Sequence, residues 1–307
     1  MRSSRLCVLM LSCCSGYSLA QQVSDDAFRF PNPNPAFAEG TGPRICIDEG
    51  HYNFHTAEGR YKPFANLVRD DGYRVVSFSE LFSESTLQQC DVMVIANALA
   101  EENETDWRYP HYSAFDGDEL RAIKAWIQDG GSLLMFADHA PNAAGARELG
   151  AVLGLVMTDV YAVNDPDGPD RFRLEDGTLH AHAIQAGRAD EEAVNMVMTF
   201  TGQPAQITQG WVPLLTFGSE AVAFINPQQI YEQAPQTGPP SFPIGGWIHG
   251  AARQLDEGRI VFLGEAAMCS AQLGGPNRTP MGMNSPAAAQ NPQFCLSAIR
   301  WLTGVLN

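Results

Sequence analysis

Four short apolar runs recur along the chain, separated by segments with helical spacing, and this alternation limits the possible folds more than any other feature. The runs are RICID at 44–48, DVMVIA at 91–96, SLLMFA at 132–137 and RIVFLG at 259–264. Strands that are apolar on both sides belong to sheets covered on both faces, and such sheets are typically parallel. The alternation predicts an α/β domain with a flavodoxin-like, mostly parallel sheet and helices on both faces.

Helices and one further strand fill the intervals between these runs. The clearest helix runs from Phe115 to Asp129, with Asp116 as its N-cap and Gly130-Gly131 closing it. Its apolar residues recur at helical spacing. The remaining predictions are helices over 61–71, 143–153 and 291–306 and a β-branched strand over 74–78.

Composition divides the chain into four segments. Residues 21–43 lack an apolar period and are predicted to form an extended leader. Residues 44–307 are predicted to form a single domain, in which about 165–256 is a β-rich insertion. Its short apolar segments, VNMVMTF, WVPLLTF, AVAFI and GWIHGAA, are predicted to be antiparallel edge strands.

The first 20 residues have the pattern of a secretory signal peptide. A basic head, MRSSR, precedes an apolar run that ends in small residues at Ser18-Leu19-Ala20. Cleavage after Ala20 is expected, which predicts an exported, periplasmic or extracellular protein. The alternative is a lipoprotein anchored through Cys13. No later run reaches the roughly 20 apolar residues that cross a bilayer.

Net charge limits the partners. The formal net charge is −16. Phosphates repel so acidic a protein, so neither nucleic acid nor an anionic membrane is an expected partner. The sequence makes no prediction about protein partners, and a small polar ligand or substrate is the expected one.

Four cysteines follow the signal segment, and an exported protein can oxidise them. Cys269 and Cys295 flank a long loop and are candidates for a disulfide. Cys46 lies within a predicted strand and resembles a small buried apolar residue. Cys269 has a second interpretation, as a thiol nucleophile just beyond Glu265. The pairing of Cys90 is left open.

Polar residues follow each of the four apolar runs. They are Asp48 with His51, Asn97, Asp138 with His139, and Glu265. Ligands of open α/β sheets bind outside the carboxyl ends of the strands. One acid at a strand end is often only a helix cap, but four polar ends at one edge predict a shared pocket.

This pocket is the predicted site. Its predicted catalytic residues are Asp48, His51, Asp138, His139 and Glu265. Asn53, Asn97 and Asn284 are predicted to bind substrate, and His55 is a further candidate ligand for a metal. Each has a structural alternative, as a cap, a turn residue or an exposed loop residue. His180, His182 and His249 are interpreted as structural.

The segments IDEGHYNFH, DVMVIAN, GGSLLMFADHAP and GRIVFLGEAAM, in this order, resemble the class I glutamine amidotransferase-like superfamily. The nearest likeness is to its exported, ThuA-like bacterial branch, over most of residues 44–305. Amidotransferases carry a cysteine at a sharp strand-to-helix elbow. The matching elbow here reads Asp138-His139-Ala140-Pro141 and has neither cysteine nor serine. The resemblance therefore implies the scaffold without its nucleophile, and no glutaminase activity.

Three chemistries are compatible with the predicted pocket. The first is a divalent metal such as zinc or manganese, with His51, His55, Asp138, His139 and Glu265 as candidate ligands, although no HExxH motif is present. The second is metal-free acid–base hydrolysis by an Asp–His pair and a second carboxylate. The third is binding without turnover.

The function predicted from these patterns is an exported, hydrolase-like protein acting on a small polar substrate. The likeness to ThuA-like proteins implies that this substrate is carbohydrate-related. The alternative is a non-catalytic ligand-binding or assembly module on the same scaffold. Convergence of the five predicted catalytic residues in one pocket favours catalysis, whereas engagement of those side chains in caps and ion pairs favours the alternative.

Overall fold

The computed structural model describes residues 22–165, 169–225 and 240–307. The predicted signal peptide, its cleavage after Ala20 and the alternative lipid anchor at Cys13 lie outside these ranges. Within them, every helix is too short or too polar to cross a bilayer.

Helices and strands alternate in the first half of the chain, and strands dominate the second. The helices are α1 Lys62–Asp70, α2 Glu84–Leu87, α3 Gly117–Gln128, α4 Asn142–Val152, α5 Ala183–Ala186 and α6 Asn291–Leu302. Single 3₁₀ turns lie at Glu101–Asn103, Asp190–Glu192, Ala267–Cys269 and Pro286–Ala288. The strands before the β-rich segment are β1 Val23–Ser24, β2 Arg44–Asp48, β3 Arg74–Phe78, β4 Val92–Ala96, β5 Ser132–Phe136, β6 Leu155–Met157 and β7 Tyr161–Val163. The later strands are β8 Asp170–Arg173, β9 Met196–Thr199, β10 Ala205–Ile207, β11 Trp211–Thr216, β12 Val222–Phe224, β13 Ser241–Pro243, β14 Ile248–Leu255, β15 Gly258–Leu263, β16 Ala271–Gly274 and β17 Thr279–Gly282.

The main sheet is mixed. Its strand order is β3-β2-β4-β5-β15-β14-β10-β6, and β11 pairs with β14. The five strands from β3 to β15 are parallel, and the others pair antiparallel. The α/β class is therefore confirmed, whereas the sheet is parallel over only about half of its width.

A tight hairpin explains the antiparallel half. β14 and β15 are joined through Asp256-Glu257, with Asp256 at φ +52°. A two-residue turn can join only antiparallel neighbours, because a parallel pair needs a crossover. The predicted edge strand GWIHGAA is consequently an interior strand of the main sheet.

Helices cover the main sheet through two separate cores. Along β2, Ile45 and Ile47 face the core that receives the apolar residues of α1 and α6. Cys46 faces the opposite core, which receives those of α3 and α4. Successive strand residues point to opposite faces, so a strand apolar throughout serves both cores.

The leader and the β-rich segment form smaller sheets. β1 pairs with β16 in a three-stranded sheet with β17. β7, β12 and β13 form another, and β8 pairs with β9. Of these strands, β8, β9, β12 and β13 lie within residues 165–256, the segment predicted to be β-rich.

Two disulfides join distant segments. Cys269 bonds Cys295, the pair that the sequence offered as a candidate. Cys46 bonds Cys90, so its interpretation as a simple apolar residue is wrong, although the side chain is buried. The interpretation of Cys269 as a thiol nucleophile is also wrong, because its sulfur is held in the disulfide.

Candidate functional site

The polar residues predicted from the strand ends form two separate clusters at the carboxyl edge of the parallel strands. One follows β2, and the other follows β5 and β15. We name them the His51 clasp, made of Asp48, His51, Asn53 and Glu119, and the acid pair, made of Asp138 and Glu265. Side chains in both clusters are almost completely buried.

Both ring nitrogens of His51 are occupied in the clasp. Nδ1 lies 2.9 Å from both carboxylate oxygens of Asp48, and Nε2 lies 2.8 Å from Oε1 of Glu119. Asn53 donates to Asp48 at 2.9 Å and accepts from the backbone N–H of His51. The ring of His51 is also packed 4.5 Å from that of Phe82.

Two carboxylates therefore decide the charge of His51. Burial disfavours the charged imidazole, but the hydrogen bonds and charges of Asp48 and Glu119 outweigh it and raise the pKa of His51. An imidazolium with both N–H groups bound to carboxylates has no free lone pair. In this arrangement His51 joins elements of the fold and offers nothing to a substrate.

Sequence analysis did not identify Glu119, although a local signal was present. Asp116 and Glu119 form a capping box at the start of α3, in which Asp116 accepts from the N–H of Glu119. The Oε2 atom of Glu119 accepts from the N–H of Asp116, so Oε1 is left to bind His51 and the N–H of Phe82. The cap thus orients the second carboxylate of the clasp.

The acid pair binds the backbone. Asp138 accepts from the N–H of His139 at 2.8 Å, the hydroxyl of Thr201 at 3.0 Å and the N–H of Ala266 at 3.4 Å. Glu265 accepts from the N–H of Met268 at 2.8 Å and that of Phe200 at 3.3 Å. Phe200 and Thr201 belong to the β9–β10 connection, which therefore covers the pair.

Among the residues that the structure describes, no cation balances the acid pair. Within the described ranges, neither carboxylate forms an ion pair with a lysine, arginine or histidine. Burial, and then the charge of Asp138, raise the pKa of Glu265 well above its ordinary value. Burial and the same two acids raise the pKa of Tyr61, whose hydroxyl donates to the carbonyl of Ala266 at 2.8 Å. These surroundings therefore favour the protonated form of Glu265.

His139 differs from the other predicted catalytic residues in being partly exposed. Its Nδ1 lies 2.7 Å from the carbonyl of Ala140, so Nδ1 carries the proton and Nε2 the lone pair. Asp138 binds the backbone of His139 and not its ring. A carbonyl, rather than the predicted Asp–His pair, orients this imidazole.

The remaining predicted residues have other surroundings. His55 is buried beside the ring of Tyr61, and burial lowers its pKa to about 3. Asn97, at φ +58°, accepts from the N–H of Asp138 and so links β4 to the acid pair. Asn284 donates to Asp25 and to the carbonyl of Gln272, beside the small β1-β16-β17 sheet.

The five candidate metal ligands do not come together at one site. Across the described ranges, no three His, Cys, Asp or Glu side chains are grouped as metal ligands. His51 is enclosed by its carboxylates, and His55 packs against aromatic rings.

An open cavity lies between the clasp and the surface. Its volume is about 640 Å³, and it lies at the carboxyl ends of β2, β3 and β4. Its polar and aromatic lining includes Glu49, Tyr52, Phe54, Thr56, Arg60 and Glu104. A larger cavity, of about 990 Å³, lies at the opposite edge of the sheet beside Asp91 and Ser132 and contains none of the predicted site residues.

Tyr52 is the feature of this cavity that sequence analysis did not identify. Its backbone is left-handed, at φ +45°, and 42% of its surface is exposed. Bulky residues rarely adopt this conformation. Such strain is common at ligand sites. The amino-acid sequence itself gives no indication of it.

Comparison with known proteins identifies a fold and no family. The chain is similar to the N-terminal domain of mmIFT52, at 13% identity and a TM-score of 0.58, over 85% of this chain and 97% of that one. A ThuA-like protein from Bacteroides uniformis ATCC 8492 has 13% identity and a TM-score of 0.49, over 89% and 95%. The exo-β-1,4-mannosidase Op5Man5 from Opitutaceae bacterium strain TAV5 has 11% identity and a TM-score of 0.42, and the likeness covers 36% of it. Only the first score is high enough to show a shared fold, and at that identity it shows nothing about activity.

Sequence comparisons give no further assignment. No protein-family model matches the chain. No curated protein matches it in sequence.

Proposed function

We propose that this protein binds a small, uncharged, hydroxylated ligand in the cavity beside Tyr52. The observation that carries the proposal is the contrast between this cavity and the buried acids. Asp48 and Glu119 bind His51, and Asp138 and Glu265 bind backbone donors, so these carboxylates already have partners within the protein. Most of the polar groups lining the cavity, by contrast, are at least partly exposed.

The position of the cavity supports a binding role. Numbered along the chain, the five parallel strands lie in the spatial order second, first, third, fourth, fifth, which is the order of flavodoxin-like sheets. We propose that this half of the sheet is flavodoxin-like. The cavity then lies at the strand ends where the order reverses, the usual binding position in such sheets.

Charge restricts the ligand class. Glu49 and Glu104 border the cavity, and the formal net charge of the chain is −16. Arg60 already donates to the carbonyls of Phe54 and Gln22. An anionic ligand is therefore disfavoured, whereas a sugar or polyol matches the mixture of hydroxyl, carboxylate and aromatic groups. The resemblance to ThuA-like proteins, which implies a carbohydrate-related ligand, agrees with this class.

Calorimetry with a panel of neutral monosaccharides and polyols tests the proposal. At least one probe should bind with micromolar to millimolar affinity, and Tyr52→Gly should weaken it about tenfold by removing the ring. Glycine suits the left-handed backbone, so folding should be retained. Tyr112→Ala, at an exposed tyrosine outside the cavity lining, is the control. Failure of every probe, or unchanged affinity in Tyr52→Gly, would contradict the proposal.

Hydrolysis is a second candidate, favoured by one observation at the acid pair. The pKa of Glu265 is raised beside Asp138, and the Nδ1–H of the neighbouring His139 donates to the carbonyl of Ala140, so its ring is oriented. A carboxyl group with a raised pKa, together with an oriented imidazole, is a component of acid–base catalysis. His139→Ala should abolish turnover of a glycoside or ester probe and leave the affinity for a monosaccharide in the cavity, whose lining does not include His139, unchanged. Binding without turnover across the panel would leave the binding module as the function.

Glutamine hydrolysis is not expected. No cysteine or serine lies at the elbow Asp138-His139-Ala140-Pro141, and Cys269 is held in a disulfide. Acyl transfer by the amidotransferase route requires a free nucleophile. Ammonia release from glutamine by the oxidised protein would contradict this expectation.

A further inference from the structure

Four aromatic rings follow one another across the carboxyl edge of the sheet. Phe54, Trp107, His139 and Tyr161 have successive ring centroids 5.6, 6.4 and 5.1 Å apart. They come from four different segments: the loop after β2, the loop before α3, the turn after β5, and β7. We call them the aromatic row. Their adjacency is a property of the fold, since no sequence motif contains them.

Partial exposure distinguishes this row from the core. All four side chains are partly exposed, whereas the ring of His55, which contacts Phe54, and the ring of Tyr61 behind it are buried. An aromatic ring at the surface offers an apolar face, and it tolerates polar groups around its edge. The C–H face of a pyranose packs on such rings while its hydroxyl groups remain available for hydrogen bonds.

The row is continuous with the proposed ligand cavity. Phe54 lines the cavity and is also the first ring of the row. The guanidinium of Arg60 lies 3.9 Å from the centroid of the Phe54 ring, so Phe54 is fixed at the junction. A ligand that fills the cavity and leaves past Phe54 meets Trp107 next.

We propose that the protein binds a linear, uncharged oligosaccharide, with one sugar in the cavity and the following sugars along the aromatic row. This inference rests on the proposed function and extends it from a single sugar to a chain. The centroid spacing of the rings is comparable with that of successive pyranose units, and the inclination of neighbouring ring planes, 61°, 68° and 35°, requires the bound chain to twist along the row. His139 adds a polar ring atom, Nε2, to the row, because its Nδ1–H donates a hydrogen bond to the carbonyl of Ala140.

Length dependence is the test. Calorimetry uses neutral β-1,4-linked oligosaccharides of one to six residues, built from glucose, mannose or N-acetylglucosamine. One series should gain at least about tenfold in affinity between the monosaccharide and the tetrasaccharide. Trp107→Ala and Tyr161→Ala should each remove most of that gain and change monosaccharide affinity less than about twofold. Trp107→Phe, which retains a ring, should restore part of it, and Tyr112→Ala should have no effect.

Each outcome separates this inference from the proposed function. Binding of a monosaccharide with no gain on lengthening overturns the aromatic row and leaves the cavity proposal standing. A gain that persists in Trp107→Ala and Tyr161→Ala also overturns it, since other residues then bind the additional sugars. If no member of any series binds, both proposals fail. If Trp107→Ala does not fold, the comparison of Trp107→Phe with Tyr161→Ala decides the result.

Discussion

The His51 clasp and the acid pair lie at the same edge of one sheet and contain the same kinds of residue, but their electrostatics differ. In the clasp, two buried carboxylates share an imidazole between them. In the acid pair, two buried carboxylates have only neutral donors, and Glu265 has a raised pKa. Buried charges are stable when they are paired, and an unpaired acid gains a proton instead.

The two clusters also differ in how completely the buried polar atoms in and around them are hydrogen-bonded. Around the clasp, all side-chain nitrogen and oxygen atoms of Asp48, His51 and Asn53 have partners. The four carboxylate oxygens of the acid pair have partners as well, but the buried atoms around the pair that lack a protein partner include Nε2 of His249 and both amide atoms of Gln203, whereas near the clasp Nδ1 of His55 lacks one. Unsatisfied buried groups are rare in structural clusters and more common at functional sites. The clasp is therefore the better candidate for a structural role, and the acid pair for a chemical one.

The largest expected effect comes from removing the cation of the clasp. His51→Ala leaves Asp48 and Glu119 buried without a cationic partner, which should lower the free energy of unfolding by about 3–5 kcal/mol. Arg121→Ala is the control: Arg121 forms an exposed ion pair with Asp118, and its loss should cost less than about 1 kcal/mol. Urea denaturation measures both. A loss below about 1 kcal/mol in His51→Ala would show that the clasp is not a structural element.

Each cluster has a disulfide beside it, which gives the second test. Cys46 lies in β2, two residues before Asp48, and bonds Cys90 across 44 residues. Cys269 follows Met268, which binds Glu265, and bonds Cys295 across 26 residues. Loop-closure entropy predicts losses of about 4 kcal/mol for Cys46→Ala/Cys90→Ala and about 3.5 kcal/mol for Cys269→Ala/Cys295→Ala. Ligand affinity measured in both double variants shows which disulfide the binding site depends on.

The pH dependence of stability gives the smallest effect and the most specific one. Because folding raises the pKa of Glu265, the unfolded chain releases this proton first, and stability falls as pH rises above about 4.5. The side chain in Glu265→Gln cannot ionise. Between pH 5 and 8 the wild type should therefore lose about 1 kcal/mol or more of its free energy of unfolding beyond what Glu265→Gln loses. Chemical denaturation at a series of pH values measures the difference. Parallel pH profiles would show that Glu265 is ionised in the folded protein.

A control for this measurement exists within the fold. His51 also has a raised pKa, so its contribution is complete below about 6.5 and is lost as pH rises through the folded value. His249 behaves in the opposite way: burial lowers its pKa to about 4, and its contribution is lost as pH falls below about 6.5. His249→Phe should therefore reduce the acid-side decline and leave the alkaline side unchanged.

The predictable parts of this molecule are local in sequence. β2, β4, β5 and β15 follow from unbroken apolar runs, and the cap at Asp116 follows from its position before a periodic segment. The contact between His51 and Glu119 does not follow in this way, because Glu119 lies 68 residues away in sequence and reaches His51 only through packing. The strain at Tyr52 depends on the surrounding backbone and has no sequence signal.

The strand ends illustrate the same limit. Sequence correctly placed Asp48, Asn97, Asp138 and Glu265 at the ends of β2, β4, β5 and β15. The sequence did not show that these residues form two clusters, because the division depends on which distant groups pack against each carboxylate. The sequence also concealed the hairpin between β14 and β15, because an apolar strand has the same composition in parallel and antiparallel pairing.

The parallel pairing of β15 with β5 has a consequence for how the chain acquires its structure. The whole β-rich segment separates these neighbours in sequence. Closing so long a loop costs little more than closing a shorter one, about 0.6 kcal/mol for each doubling of length, but contacts of this kind form slowly. Until β15 arrives, β5 is the unpaired edge of a half-built sheet, and all five of its residues are destined for burial. An open apolar edge pairs readily with other chains, so the period before this closure is when the protein is most vulnerable to aggregation.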